Sequence, residues 1–390
     1  MDIKQESLKK HYEWKGKIYT GVKTPITNKE ELSLAYTPGV AEACLKIKDD
    51  INESYKLTGR GNLVAVITDG TAVLGLGDIG PEAGMPVMEG KCALLKVFGD
   101  VDAIPLCLKT KNSSEIIETI SLLEGSFGGI NLEDISAPRC FEIEKALQER
   151  CSIPVFHDDQ HGTAIVVGAA LTNALKLSNK KIDEIKITIN GAGAAGTAIA
   201  DFLLDMGVKD IVMVDINGVL LPDDPTLFGP RKEIISKTNI NKIKGTLKDA
   251  LVNSDVFIGV SVGNILSKEM VKLMKANPII LALANPVPEI SRNDALEAGA
   301  YIVGSGSSAL PNQINNVLAF PGIFRGALDV RASRINKEMM LAASRAIASF
   351  VTEEELSVDF ILPYAFNKEL HKAVARAVSE AAIKTKVSRI

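Results

Sequence analysis

The sequence contains few cysteines, and their arrangement fits neither a disulfide framework nor a zinc site. Five cysteines are spread over 390 residues, their number is odd, and no two of them have a Cys-x-x-Cys spacing. This usage is typical of packing residues in a reducing compartment and argues against a disulfide-stapled secreted fold. The polar segment Asp2–Ser7 also lacks the apolar core of a secretory signal. We therefore expect a cytoplasmic protein.

Long runs of one charge and long apolar runs are missing as well. The formal net charge is -4, and no basic stretch stands out. A nucleic-acid or membrane-surface binder would need a basic patch, and a membrane span would need about 20 consecutive apolar residues. We therefore expect a small-molecule substrate, with no nucleic-acid or membrane partner. The chain is long enough for two ordinary domains.

Short apolar runs alternate with amphipathic stretches from about residue 62, which predicts an α/β fold with parallel sheet. The predicted strands are Asn62–Ile67, Ala103–Leu108, Gly129–Leu132, Ile153–Phe156, Lys186–Ile189, Asp210–Val214, Val256–Val260, Ile279–Ala284 and Tyr301–Val303. A helix predicted over Thr163–Leu177 separates them into two groups. We place the domain boundary near residue 160. Residues 1–160 form an N-terminal α/β domain, and residues 161–390 form a Rossmann-type dinucleotide-binding domain with a helical C-terminal tail.

A glycine-rich turn in the second domain predicts a dinucleotide site. The strand Lys186–Ile189 leads into the G-x-G-x-x-G pattern and then into a helix of small residues; the pattern reads Gly191, Ala192, Gly193, Ala194, Ala195, Gly196. The first glycine allows a tight turn, the second lets a pyrophosphate approach the backbone, and the third lets the helix pack on the sheet. Asp215 ends the next strand, 19 residues after Gly196, where a carboxylate can bind ribose hydroxyls. A tight strand–helix turn without nucleotide is the alternative.

The residues around Asp215 favour NAD over NADP. Ile216 and Asn217 follow it, so no adjacent cation is available for a 2′-phosphate. Arg231 or Lys232 would reverse this preference by folding back towards Asp215.

The same glycine pattern occurs earlier, at Gly75–Gly80. Pro81, Gly84 and Pro86 follow it, so we expect no helix to begin at its third glycine. We interpret this segment as a loop of the first domain that lines the cleft, and we predict the next helix over Pro86–Phe98.

Two pairs of acidic residues follow predicted strands of the first domain. Glu133 and Asp134 come after the third strand, and Asp158 and Asp159 come after the fourth. Open α/β sheets place ligands at the carboxyl ends of their strands, and converging carboxylates repel one another unless a cation joins them. Carboxylates suit Mg2+ or Mn2+ better than zinc. Glu133 and Asp134 can share one ion only if the backbone turns there; otherwise the acids are solvated or cap helices.

A lysine lies in the apolar face of the helix predicted over Pro86–Phe98. At about 100° per residue, Val87, Leu94, Leu95 and Phe98 form one stripe with Lys91 in its middle. Such a lysine either extends its ammonium group to solvent or loses its charge readily, because burial lowers the pKa of an amine. In the second case it can act as a general base.

Three further residues carry weaker signals. His157 and His161 have an i, i+4 spacing, but the segment before them is predicted to be a strand, so core or loop histidines are favoured over a zinc site. Tyr36 precedes Thr37 and Pro38, which predict the start of a helix, and a contact with its first turn is favoured over catalysis.

Together these residues resemble the malic enzyme family in its short microbial form. The matching segments are Ala35–Ala41, Thr68–Gly70, Leu74–Asp78, Glu89–Lys91, Asn131–Asp134, Phe156–Thr163, Gly191–Gly196, Ala284–Pro286, Asn315–Val317 and Phe320–Gly322. The resemblance implies a metal-dependent, homodimeric enzyme that oxidises and decarboxylates (S)-malate to pyruvate and CO2 while reducing NAD(P).

The resemblance also implies roles for individual residues. Lys91 would be the general base, Tyr36 the general acid, and Asp158 would assist this pair. Asn285 and Asn316 would contact the substrate or the nicotinamide in the cleft between the domains. The divalent ion, Mg2+ or Mn2+, would be bound by Glu133, Asp134 and Asp159.

One departure from the family and three other functions stay open. Larger family members have an arginine that clamps the malate carboxylate in the loop after Thr68–Gly70, whereas this chain has Thr71–Val73 there. A malolactic-type or oxaloacetate-decarboxylating enzyme would use the same site. A metal-independent amino-acid dehydrogenase would have a similar plan with a cleft lysine. A nucleotide-sensing module would leave the four carboxylates and Lys91 unexplained.

Overall fold

The strands form two separate sheets, which confirms the predicted two-domain α/β fold. The computed structural model describes residues 3–225, 227 and 229–390, apart from the side chain of Leu74. The strands are β1 (Leu63–Thr68), β2 (Asp102–Cys107), β3 (Gly129–Leu132), β4 (Val155–His157), β5 (Lys186–Asn190), β6 (Asp210–Asp215), β7 (Gly218–Val219), β8 (Val256–Gly259), β9 (Ile279–Ala282) and β10 (Ile302–Ser305). All nine predicted strands are present, and their ends differ from the prediction by no more than two residues.

Helices connect and cover these strands. The α-helices are α1 (Ile3–Trp14), α2 (Lys29–Ala35), α3 (Val40–Asp49), α4 (Ser54–Leu57), α5 (Pro81–Gly99), α6 (Ser113–Leu123), α7 (Arg139–Arg150), α8 (Asp158–Ser178), α9 (Ala194–Asp205), α10 (Gly229–Lys237), α11 (Leu247–Leu251), α12 (Lys268–Val271), α13 (Arg292–Glu297), α14 (Phe320–Asp329), α15 (Lys337–Ser349) and α16 (Lys368–Lys384). Short 3₁₀ helices lie at Ile51–Glu53, Gly59–Asn62, Leu74–Leu76, Glu124–Ser126 and Asn316–Leu318. Within the described ranges, no helix combines the length and apolar character needed to cross a bilayer.

The first sheet has the strand order β2-β1-β3-β4 and is entirely parallel. Strand β3 is buried along its whole length, and β1 is buried from its second residue. Strands covered on both faces are expected to be apolar runs, and β1 is apolar up to Thr68, whereas β3 carries one buried polar residue, Asn131. Because the strands are parallel, the residues after β1, β3 and β4 lie at one edge of the sheet. That edge carries Asp69, the pair Glu133-Asp134 and the pair Asp158-Asp159.

The second sheet has the order β10-β9-β8-β5-β6-β7, and only β7 pairs antiparallel to its neighbour. Strand β7 has two residues, too few for a periodic pattern, and it was not predicted. The order in which successive strands are added to the sheet reverses between β5 and β8, although these two strands are parallel. Open α/β sheets bind their ligands at such a switch point. The glycine-rich turn follows β5, and Asn285 follows β9 at the same edge.

The prediction that no helix begins after Gly80 is wrong. Helix α5 starts at Pro81, which stands at the first helical position, where a missing N–H costs nothing. Pro86 lies inside this helix and does not begin it. The segment nevertheless lacks a dinucleotide fold, because Asp100 caps the end of α5 and does not end a second strand.

Two other helix starts also differ from the sequence prediction. Helix α8 begins at Asp158, five residues before the predicted Thr163, so the boundary that we place near residue 160 falls in its first turn. The helix after Tyr36 begins at Val40, and Thr37 and Pro38 precede it without capping it.

The C-terminal helices pack against both sheets. Helix α14 contacts α5 and α16, and α15 contacts α8 and α16. A Cβ on Gly129 of the first sheet would lie 3.3 Å from the ring of Phe324 in α14. One apolar cluster accordingly contains residues of the first sheet, the second sheet and α14 to α16. The tail therefore joins the two domains rather than belonging to one alone.

Candidate active site

Lys91 lies between two carboxylates at the carboxyl edge of the first sheet. Its Nζ is 2.6 Å from Asp158 Oδ2 and 2.8 Å from Glu133 Oε1. The side chain is 8% exposed, and its ammonium group also lies 4.4 Å from the centre of the Phe320 ring. Lys91 lies on the buried face of α5 with Met88 and Leu95, whereas Leu94, which the predicted stripe includes, is exposed. The amine of Lys91, however, neither reaches solvent nor stays among apolar groups, because it turns into the acidic cluster.

The charges of this cluster shift the pKa values of its members. Burial is the largest effect on Lys91 and lowers its pKa, but attraction to nearby carboxylates, led by Asp158 and Glu133, outweighs burial and raises it. Burial raises the pKa of Asp158 and of Asp159 to about 6 in spite of the lysine. Burial likewise raises the pKa of Glu133. Without an added cation these charges favour the protonated form of Lys91, so the second alternative, a readily discharged amine, does not apply to the cation-free protein.

Glu133, Asp134 and Asp159 present carboxylate oxygens that lie within 4.8 Å of one another. The backbone turns at Asp134, whose φ of 54° is in the left-handed region, so adjacent residues can face one ion, as predicted. The Asp134 N–H donates to Asp159 Oδ2 at 2.7 Å. Beside them, Asp158 Oδ1 is buried and has no hydrogen-bond partner among the described residues. An oxygen-only donor set of this kind fits Mg2+ or Mn2+.

The ring of His161 and the backbone of His157 contact a buried glutamate. Glu144 of α7 is buried, and its carboxylate accepts three hydrogen bonds. The donors are the backbone N–H of His157 at 2.9 Å, Gln160 Nε2 at 3.2 Å and His161 Nε2 at 3.0 Å. These bonds hold the start of α8, from which Asp158 and Asp159 project. Sequence reasoning did not select Glu144, because only the folded chain brings α7 beside the end of β4.

Asn131 is a second supporting residue that sequence reasoning did not single out. It is fully buried in β3, and its Nδ2 donates to Glu133 Oε2 at 2.8 Å. Residues two apart on a strand face the same side, so the spacing of Asn131 and Glu133 carried a signal for this contact. The bond orients the Glu133 carboxylate, leaving its other oxygen against Lys91.

We expect stabilisation by Mn2+ to depend on pH through Asp158 and Asp159. Their pKa values of about 6 in the folded protein lie above the ordinary values. The cation-free protein therefore loses stability as pH rises from about 4 to 6, because the folded state disfavours the ionised groups. A cation competes with these protons, so the Tm gain from Mn2+ should be small at pH 5 and large at pH 7. Thermal melts across this range check it; a gain that falls with pH would contradict it.

The glycine-rich turn has the geometry of a dinucleotide site. A Cβ on Gly191, whose φ is 106°, would lie 2.6 Å from the Val260 carbonyl oxygen, and one on Gly196 would lie 1.8 Å from the Gly191 oxygen. A Cβ on Gly193 would meet nothing within 4 Å, which leaves open space where a pyrophosphate would approach. Ala192 is buried, and Ala194 and Ala195 open α9. Ala194 also packs against the apolar cluster of the first sheet, so this turn meets the first domain.

A cavity of about 480 Å3 next to this turn is lined by Asp215 and by residues of the loop after β8. Its size is that of small-molecule sites in general. The Asp215 carboxylate accepts a hydrogen bond from the Ile216 N–H at 2.9 Å and another from Arg231 Nη2. Arg231 therefore folds back onto Asp215, the arrangement for which the sequence predicts a reversal of the preference for NAD.

Sequence comparison agrees with this geometry. Residues 15–148 match the malic enzyme N-terminal domain, and residues 160–383 match the malic enzyme NAD-binding domain. The chain belongs to the malic enzyme family. It is 56% identical over 391 residues to a bifunctional malic/malolactic enzyme of Bacillus subtilis, covering 100% of this chain and 95% of that relative.

Other malic enzymes are similar in sequence and in structure. An NAD-dependent malic enzyme of Geobacillus stearothermophilus is 54% identical, with 96% of this chain and 78% of the relative covered. The crystal structure of malic enzyme from Pyrococcus horikoshii is 46% identical and superposes with a TM-score of 0.95, over 98% of this chain and 92% of that one. Family membership favours the malic enzyme prediction over the amino-acid dehydrogenase and the nucleotide-sensing module.

The loop that lacks the arginine of larger malic enzymes lies beside the acidic cluster. The Ala72 N–H donates to the Asp134 carbonyl oxygen at 2.9 Å. Arg139 contacts the same loop: its Nη2 donates to Thr71 Oγ1 at 2.9 Å, and its Nη1 lies 2.7 Å from Asp69 Oδ2. This arginine is committed to Asp69 and Thr71, so it supports the loop and does not replace the missing carboxylate clamp.

The predicted substrate residues lie at the facing edges of the two domains. Asn316 is half-buried, and a Cβ on Gly162 of α8 would lie 3.1 Å from its Cβ and 1.9 Å from Asp158 Oδ1. Asn285 is exposed, and a Cβ on Gly75 of the first domain would lie 2.7 Å from its carbonyl oxygen. The glycine-rich loop of the first domain therefore lines the cleft, as predicted.

Tyr36 is the predicted site residue that the single chain does not bring to the cluster. It follows α2, and it is 67% exposed, whereas Lys91 and Asp158 are buried. No hydrogen bond joins its hydroxyl to Lys91 or to the four carboxylates in the described part of the chain. Its role as a general acid is not supported by the arrangement within one subunit.

Proposed function

We propose that this chain oxidises (S)-malate and decarboxylates the product to pyruvate and CO2, with a divalent cation held by Glu133, Asp134 and Asp159 and with NAD(P) at the glycine-rich turn. The observation that carries the proposal is the contact of Lys91 with Asp158 and Glu133, at the edge where the metal-capable carboxylates converge. The malic enzyme family of the chain and its NAD-binding domain support it.

Lys91 is the group placed to move the proton of the reaction. In its neutral form its Nζ accepts the proton of the malate C2 hydroxyl, while Asp158 orients the amine through their 2.6 Å contact. Charge on a bound cation would offset that of the carboxylates, and this favours the neutral amine. When bound, the cation would polarise the substrate oxygens and stabilise the charge that decarboxylation leaves, and the nicotinamide would accept the hydride. Asn285 and Asn316 line the space in which the substrate is oriented.

The proposal is tested by measuring every product in one reaction. Purified protein with (S)-malate, NAD and Mn2+ should give pyruvate, CO2 and reduced cofactor in equal amounts. Chelation of the metal should stop the formation of all three. Full activity after chelation would favour a metal-independent dehydrogenase and contradict the proposal.

A malolactic reaction is the second candidate, because the Bacillus subtilis relative is named as a bifunctional malic/malolactic enzyme. The same site serves both reactions if the nicotinamide stays bound and returns its hydride to pyruvate. Lactate formed from malate without free reduced cofactor would identify this reaction. Pyruvate with free reduced cofactor would identify the oxidative one.

We propose that the chain binds NAD and that Arg231, folded back onto Asp215, also allows NADP to bind. Arg231 is paired with Asp215, but its Nε is buried without a partner among the described residues, so the guanidinium can turn towards a 2′-phosphate. Replacing Arg231 with alanine should lower kcat/KM for NADP by about tenfold or more and leave that for NAD nearly unchanged. Lys232→Ala is the matched control, because Lys232 is the exposed residue next to Arg231 in the chain. Equal losses with both cofactors would refute this role.

We further propose a homodimer whose interface includes α1, α2 and α3. No residue of these helices is buried, yet Leu8, Trp14 and Leu34 are large, apolar and exposed. Large exposed apolar side chains that recur along one segment of the chain, as these do, indicate an interaction surface. Tyr36 lies in the same region, so a second copy would also change its surroundings. Light scattering should give twice the mass of one chain, and the mass of one chain would contradict the proposal.

A further inference from the structure

We propose that Glu289 is a positioning residue that holds the dinucleotide-binding loop after β8 against the segment carrying Asn285. This inference rests on the proposed function, because it assigns Glu289 to the placement of the cofactor and of Asn285 in the cleft. Glu289 itself contacts neither.

Glu289 joins two loops through the two oxygens of one carboxylate. Its Oε1 accepts a hydrogen bond from the Ser261 N–H, and its Oε2 accepts one from the Ala284 N–H, both at 3.1 Å. Ser261 follows β8, and Ala284 follows β9, so the carboxylate spans two strand ends at the ligand-binding edge of the sheet. Backbone bonds from Asn264 to Pro288 and from Leu266 to Glu289 complete the junction.

Each of the two loops has a role at the candidate site. Ser261, Val262 and Ile265 line the cavity beside Asp215, and Ser261 Oγ accepts a hydrogen bond from Asn190 Nδ2 at 2.6 Å. Ala284 immediately precedes Asn285. A displacement of the junction would therefore move the wall of the cofactor cavity and Asn285 together.

Burying Glu289 at this position costs free energy of folding that packing alone would not require. Glu289 is fully buried, and no lysine or arginine of the described residues pairs with it. Burial raises its pKa, and the backbone N–H groups of Ser261 and Ala284 oppose this shift. An apolar side chain could fill the same space without the cost of burying an acid. The carboxylate accepts two backbone donors, one from each loop, on separate oxygens, and no apolar side chain could do so.

The space around Glu289 is shaped for its carboxylate. A Cβ on Gly259, at the end of β8, would lie 2.3 Å from Glu289 Cδ. A Cβ on Gly263 would lie 2.7 Å from Val287, so the two loops touch at a second point. A side chain at either glycine would separate the loops.

The test compares Glu289→Gln with the wild-type protein in two measurements. The first is the Kd of NADH, followed by its fluorescence, which requires neither malate nor metal. The second is kcat and KM for NAD and for malate. The glutamine can accept from one N–H, but its amide group faces the other donor, so one bond is lost. We expect the Kd of NADH to rise by about tenfold and kcat to fall by a similar factor.

Asn173→Ala is the matched control for stability. Asn173 of α8 is fully buried, and its Nδ2 donates to the Ala348 and Ile361 carbonyl oxygens at 2.9 and 3.0 Å, away from the cleft. This variant also loses two buried hydrogen bonds. It should lower Tm and leave the Kd of NADH within twofold of the wild-type value.

Three results would overturn the role of Glu289. The first is an unchanged NADH Kd and kcat in Glu289→Gln, and the second is an equal loss of NADH binding in Asn173→Ala. If the glutamine variant does not fold, the third is an unchanged NADH Kd in Glu289→Asp. The aspartate keeps both acceptor oxygens on a shorter chain, and we expect it to weaken binding by an intermediate factor. Failure of the proposed function looks different, because the wild-type protein would then bind NADH but not oxidise malate.

Discussion

Replacing Lys91 with methionine should lower kcat for malate oxidation by about 10²–10⁴-fold, the range that general-base catalysis contributes. Lys91 is the amine that contacts Asp158 and Glu133 at the edge of the first sheet. Methionine fills the same volume but cannot accept a proton. Steady-state rates with saturating malate, NAD and Mn2+ measure the effect, and NADH binding should be retained, because the glycine-rich turn is untouched.

Lys96→Met is the control for this substitution. Lys96 lies on the same helix, but it is half-exposed and pairs with Asp100 and Asp102 on the solvent side. It should keep nearly full activity. Near-full activity in Lys91→Met, with the protein shown to be folded by circular dichroism, would remove Lys91 from the mechanism. Equal losses in both variants would point to damage to α5 and not to lost proton transfer.

Replacing Asp159 with asparagine should lower metal-dependent activity by about a hundredfold or more. Asparagine keeps the shape of the side chain, and its carbonyl oxygen can still accept the Asp134 N–H. It removes one of three negative charges within 4.8 Å of one another. The Tm of the cation-free protein should therefore stay equal or rise, while the Tm gain on adding Mn2+ should disappear.

Asp183→Asn is the matched control, since Asp183 is exposed and pairs with Lys209 far along the surface. It should change neither the activity nor the Tm gain from Mn2+. An Asp159→Asn variant that keeps its full Mn2+ response would show that the cation binds elsewhere. A variant that loses activity and also loses stability without metal would show a structural role for Asp159.

The sheets and the acidic edge could be predicted from sequence because their signals are local. Each strand of the first sheet is a mostly apolar segment, and parallel pairing then brings the residues after β3 and β4 to one edge. The glycine-rich turn before α9 is equally local. The predicted start of α5 is wrong because proline breaks the interior of a helix but suits its first position, which Pro81 occupies.

The chemistry of Lys91 could not be predicted in the same way. Lys91 lies in an apolar stripe of the sequence, where burial would lower the pKa of its amine. In the fold, the pKa depends on Glu133 and Asp158, which come from other elements. Glu144 and Glu289 were missed for the same reason, because their partners are backbone N–H groups that only the fold brings near them. Tyr36 is exposed. The family motif therefore identifies this residue but does not predict where its side chain lies in the fold.

Anomalous diffraction at the manganese edge, from crystals grown with Mn2+, NAD and malate, tests the account most directly. We predict one manganese peak about 2 Å from oxygens of Glu133, Asp134 and Asp159, with Lys91 Nζ in hydrogen-bond contact with the C2 hydroxyl of malate. A peak bound by other residues, or malate seated away from Lys91, would contradict it.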